Sequence, residues 1–108
     1  MNGTELLHEA GALVDFGWCQ GATARSAQGV PVDVCSEQAA TWSLLGALQA
    51  AAFRQESAAV SDIRDAMEAI AELIEDPSLS NWNDAPDRTQ ADVRLMLEHA
   101  EQLAAAAV

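Results

Sequence analysis

The chain has no lysine and no tyrosine, and its five basic residues are all arginine. Binding nucleic acid through its phosphates needs a basic patch. Arg25, Arg54, Arg64, Arg88 and Arg94 are too scattered to make one. The same shortage disfavours an anionic membrane surface. No apolar run approaches the roughly 20 residues of a membrane span. The opening Met1-Asn2-Gly3-Thr4-Glu5 has no basic region followed by an apolar stretch, so a cytoplasmic protein is expected. Cysteine is scarce as well. Cys19 and Cys35 form no C-x-x-C pair, which removes zinc-ribbon and thioredoxin-like readings, and free thiols are the expectation. His8 and His99 have no second histidine or cysteine at helical metal-binding spacing, so both read as solvent-side residues. Phosphate-loop, G-x-S-x-G and H-E-x-x-H motifs are missing. No catalytic residue, metal or cofactor is assigned, and an enzyme is unsupported.

What is present is alanine, apolar surface and negative charge. Half of the 108 residues are apolar, which excludes a disordered chain and suits one domain over residues 1–108. Such a chain buries roughly two-thirds of its extended surface. The net charge is −12, and it is unevenly placed. Residues 1–54 carry −3 and residues 55–108 carry −9. That balance favours a basic protein partner, a small ligand, or plain solubility.

Hydrophobic spacing predicts four helices. Leu6, Leu7, Ala10, Leu13 and Val14 share one face of a helix over about Thr4 to Phe16. Asn2 and Glu5 resemble a capping box, and Gly17 suits a left-handed stop. Residues 17–35 lose periodicity and read as one long ordered loop, anchored by Trp18, Val30 and Val32, with a short β-ribbon left open. A second helix is expected from Ser36 to Arg54. It is apolar nearly all round, as a central helix of a bundle would be. Gly46 in its middle implies a close approach by another helix or an indole. A third helix spans about Ser57 to Asp76, burying Val60, Ile63, Met67, Ile70 and Ile74 and ending at Pro77. A fourth follows Thr89, whose T-x-x-D box with Asp92 should cap it, and buries Val93, Met96, Leu97, Ala100 and Ala104. The fold class is all-α, a compact four-helix domain.

Three motifs remain: Gly17-Trp18, the run Trp42-Ser43-Leu44-Leu45-Gly46-Ala47-Leu48, and the block from Trp82-Asn83-Asp84 to Arg88-Thr89. With these the chain resembles an uncharacterised family of small proteins of high-GC actinobacteria and their phages, a domain of unknown function. The resemblance covers nearly the whole chain and implies no activity. It departs from the family in a short approach to the W-N-D block and an alanine-rich tail.

Read from its residues, that block is first a structural connector. Trp82 would anchor the loop, Asn83 and Asp84 would make side-chain turns, Asp84 would pair with Arg88, and Thr89 would cap the next helix. Its functional alternative is a pocket walled by Trp18, Trp42 and Trp82, where Asn83, Asp84, Arg88 and Arg25 meet a small planar or anionic ligand such as a nucleotide. A second candidate surface is the stripe Asp65, Glu68, Glu72 and Glu75, opposite the apolar face of the third helix. As a plain amphipathic helix this is its solvated side. As a site it is an anionic ridge for a basic partner, with Arg64 its one internal cation. The leading expectation is a non-catalytic acidic interaction module that presents this ridge, with the pocket as the alternative.

Overall fold

Thirteen residues, Thr4–Phe16, form α1, and its buried side chains Leu6, Leu7, Ala10, Leu13 and Val14 are those the spacing selects. The computed structural model describes residues 3–55, 60–76 and 78–106. Expectations placed on Asn2, Ser57, Pro77 and Ala107 lie outside them. The start of α1 is not a side-chain cap. Gly3 occupies the N-cap at φ 89°, with no side-chain hydrogen bond to the cap. Gly17 is at the other end in an extended conformation, φ −175°, rather than left-handed. It is small for another reason: a Cβ there would stand 2.5 Å from the Ala40 carbonyl oxygen.

The long segment stays mostly irregular but contributes one strand of a short ribbon. Strand β1 (Ala24–Ser26) pairs antiparallel with β2 (Ala39–Trp42), matching Ala24 to Trp42 and Arg25 to Thr41, with an irregularity before Ser26. Trp18 adds an isolated bridge to Trp42. Trp18 and Val32 pack against the core as expected, but Val30 is 56% exposed at the turn.

Pairing with β1 takes Ala39–Trp42 out of the second helix. Helix α2 therefore runs Leu44–Arg54, starting at Ser43, whose Oγ accepts from the Gly46 amide, and not at Ser36. Nor is α2 the central helix, and Phe53 on it is 68% exposed. That place belongs to α1, which packs against α2, α5, α3 and β2.

Helix α3 (Val60–Leu73) is rotated from the expected orientation. Its buried residues are Asp62, Ala66, Ala69 and Ile70. Ile74, just past its end, is also buried. Val60 is 83% and Met67 38% exposed, and Ile63 is only partly covered. The cause is backbone proximity. A Cβ on Gly3 would lie 2.8 Å from both the Ala66 amide nitrogen and the Asp62 carbonyl oxygen. At that separation alanine fits against the start of α1 and methionine or isoleucine does not.

A short helix, α4 (Leu79–Asn83), forms within the connector that follows α3, where no helix was expected. Helix α5 (Gln90–Ala106) buries Val93, Met96, Leu97, Ala100 and Ala104, all five as expected. Its capping box is reciprocal: the Asp92 amide donates to Thr89 Oγ1 at 3.2 Å, and the Thr89 amide donates to Asp92 Oδ2 at 3.0 Å. Thr89→Ala should lower stability by about 1 kcal/mol. Chemical denaturation checks this, and an unchanged midpoint would remove Thr89 from the capping role. Two surface contacts join α1 to α5, the Asp15–Arg94 ion pair at 2.8 Å and a hydrogen-bond contact between His8 Nδ1 and Glu101 Oε1 at 3.2 Å.

Among the described residues the fold is thus mostly helical, with five helices and a two-stranded sheet in place of four helices alone. No described helix is long and apolar enough to cross a membrane.

Candidate functional site

The W-N-D block builds inward from Ser78, whose Oγ accepts the Asn81 amide and starts α4. One turn later Asn83 is fully buried. Its Oδ1 accepts the Trp18 indole N–H at 2.7 Å and the Leu44 amide at 3.0 Å. Its Nδ2 donates to the Cys19 carbonyl at 3.1 Å and to Asp84 Oδ1 at 2.9 Å. The Leu44 amide is one of the unpaired donors that any helix start leaves. Asn83 thus ties the G-W loop, the start of α2 and α4 to one buried amide. Asp84 Oδ1 also accepts the Gly21 amide, and Gln20 Nε2 donates to the carbonyls of Asn83 and Ala85. Gln20 was not singled out from sequence, because nothing local marks a glutamine that reaches across 63 residues.

The residues expected to line a pocket are drawn to separate neighbours. Trp42 is 4% exposed, donates to the Val34 carbonyl, meets the Phe16 ring edge-on and lies 5.8 Å from Arg54. Arg25 donates to the carbonyls of Gln20 and Gly29. The Arg88 guanidinium carbon lies over the Trp82 ring, 3.8 Å from its centroid, and Nε donates to the Trp82 carbonyl at 2.8 Å. Arg25 and Arg88 share no hydrogen-bond partner. No ion pair joins Asp84 to Arg88, because Asp84 faces Gly21 and Asn83. Trp82 and Thr89 hold the structural places the sequence suggested, whereas Asn83 makes no local side-chain turn and bonds instead to segments 39 to 65 residues away.

Around the Arg88 guanidinium lies an open groove of about 580 Å³, bounded by Leu73, Ile74 and Ala85, and by Glu75, Asp76 and Asn81. Among the described residues, Nη1 and Nη2 of Arg88 have no hydrogen-bond partner.

The second candidate surface is the outer side of α3. Glu68, Glu72 and Glu75 are exposed and Asp65 is half-buried. Beside them runs an apolar groove of about 520 Å³ between Val60, Ile63, Met67, Ala71 and Leu79. Arg64 and Glu68 also border it. The sequence marked Val60, Ile63 and Met67 as apolar but assigned them to the core. The signal that corrects this is the small-residue row Asp62, Ala66 and Ala69, one position away around the helix.

Both cysteines are free, Cys19 buried and Cys35 exposed. Burial is the main cause that pushes the Cys19 thiol above its usual range, which keeps it protonated and unreactive.

No curated protein and no solved structure matched this chain. A family match, by contrast, extends over residues 2–103, taking in the G-W loop, the Asn83 hub and the whole of α3. The chain belongs to DUF6197, a family of unknown function.

Proposed function

We propose that the protein is a non-catalytic interaction module that docks a basic, amphipathic segment of a partner protein on the outer side of α3. The observation behind this reading is the apolar row the fold leaves uncovered. Val60, Ile63 and Met67 stand at i, i+3 and i+7, forming a groove with Leu79. An apolar strip that is left open and rimmed by charge is the usual mark of a partner surface. Arg64 and Glu68 border the groove itself, and Asp65 and Glu72 on α3, with Glu75 just past its end, make the surrounding segment anionic. A second copy of the same chain would set carboxylates against carboxylates, whereas lysine or arginine on a partner's polar face would complement them.

The experiment is a titration with a fluorescein-labelled peptide alternating lysine and leucine. Val60→Asp with Met67→Asp should weaken binding at least about tenfold, the scale of losing one buried apolar side chain. The melting temperature should hold for Val60→Asp, because Val60 is 83% exposed, and fall modestly for Met67→Asp, because Met67 is only 38% exposed. Glu68→Lys with Glu72→Lys should slow association and flatten its salt dependence. Equal binding by wild type and both variants would dismiss α3 as a docking site.

The alternative, a small-ligand or nucleotide pocket at the G-W and W-N-D loops, has less support. Trp18, Asn83 and Asp84 are hydrogen-bonded to one another or to backbone, which leaves them little with which to hold a ligand.

A further inference from the structure

The groove at the C-terminal end of α3 differs from the rest of that surface in having a fixed cation. We propose that Arg88 receives the free C-terminal carboxylate of the docked partner segment, so that the module reads the end of a basic tail. This rests on the docking reading above and adds the part of the partner that is recognised.

Its geometry and its charge carry it. The Arg88 side chain is held in place before any ligand arrives, with its guanidinium carbon over Trp82 at 3.8 Å from the ring centroid and its Nε donating to the Trp82 carbonyl. A guanidinium fixed in this way keeps two terminal N–H groups in the geometry that grips a carboxylate bidentately, with little further loss of side-chain freedom. In a chain with seventeen carboxylates, Arg88 forms no ion pair among the described residues, although Glu75 and Asp76 share its groove. Those two acids also select the ligand. They would repel a lone anion such as phosphate, so the bound carboxylate must arrive together with positive charge.

The shape of the groove agrees. An open depression cannot bury most of a small molecule, but it can accept the end of an extended peptide. Leu73, Ile74 and Ala85 offer an apolar seat for a terminal side chain. Glu68 and Glu72 on α3, one helical turn apart, and Glu75 in the groove are available to the basic residues upstream of the carboxylate.

The test compares the lysine–leucine peptide as free acid and as C-terminal amide by fluorescence anisotropy. Charge alone favours the amide, which has one negative charge fewer facing an acidic surface. Recognition by Arg88 reverses that order, with the acid binding about tenfold tighter than the amide, the scale of a charge-assisted hydrogen bond. Arg88→Gln should bring the acid down to the amide's level or below it, and leave the amide's affinity in place or slightly raised, since a cation has been removed from an acidic surface. Because Arg88 also packs on Trp82, circular dichroism must show the variant folded at the temperature used. Arg88→Lys, which keeps the charge but not the fork, should restore only part of the preference. If wild type binds the amide as tightly as the acid, the carboxylate site is refuted while docking on α3 stands. If neither peptide binds, both readings fall.

Discussion

Replacing Asn83 by alanine should lower the melting temperature by more than about 10 °C. The side chain is fully buried and makes four hydrogen bonds, to Trp18, Leu44, Cys19 and Asp84. Alanine would leave the Trp18 indole N–H, the first amide of α2 and the Cys19 carbonyl without their partner. Each buried orphan costs about 1–3 kcal/mol, against a total stability of about 5–15 kcal/mol for a domain. Asn83→Asp separates the two halves of this role. A carboxylate would still accept from Trp18 and Leu44, but it could not donate to Cys19 and would confront Asp84 Oδ1. The aspartate variant should therefore be destabilised too, and less so at acidic pH, where a protonated carboxyl regains a donor. Thermal denaturation across pH reads both effects. A melting temperature near wild type for Asn83→Ala would mean that the hub is not what joins these three segments.

Gly46→Ala should be strongly destabilising, against the ordinary sign for an exposed helix interior. There, alanine is favoured over glycine by about 1 kcal/mol. In α2, however, a Cβ at position 46 would fall on the carbonyl oxygen of Thr23, with the carbonyl carbon only 2.7 Å away. That carbonyl is not free to turn aside, because it accepts the Ser43 amide at 3.0 Å. Backbone must move against backbone, so the loss should be about 3 kcal/mol, at the upper end for overpacked sites. A stabilised Gly46→Ala would show that the loop between Trp18 and β1 does not sit against α2 as described.

These two positions also show how much could be read from the sequence. Gly46 announced a close approach, because a glycine in an apolar helix needs a reason. It could not announce that the intruder is the Thr23 carbonyl rather than a helix or an indole. The α1 range and the buried face of α5 were legible because each helix carries an unbroken apolar period that every neighbour reads in the same way. The start of α2 was not. Ser36 and Ser43 are equally good caps on local grounds, and only the pairing of β2 with β1 decides between them. The rotation of α3 was hidden because spacing selects large apolar residues, while the core here selects small ones beside Gly3. As for the candidate site, the α3 carboxylates were visible, but the uncovered apolar row beside them was concealed by its own hydrophobicity. Arg88 was singled out, but with Asp84 as its partner instead of the Trp82 ring, since a cation over an aromatic leaves no sequence pattern.

The central claim is that the outer side of α3 takes a basic amphipathic segment. Amide chemical-shift mapping tests it most directly, with isotope-labelled protein titrated with the lysine–leucine peptide. The account predicts shifts concentrated on residues 60–73 and on α4 around Leu79 and Trp82, weakening as salt is raised. Shifts centred on Trp18, Arg25 and Trp42, with α3 unmoved, would contradict it and return the function to the aromatic loops.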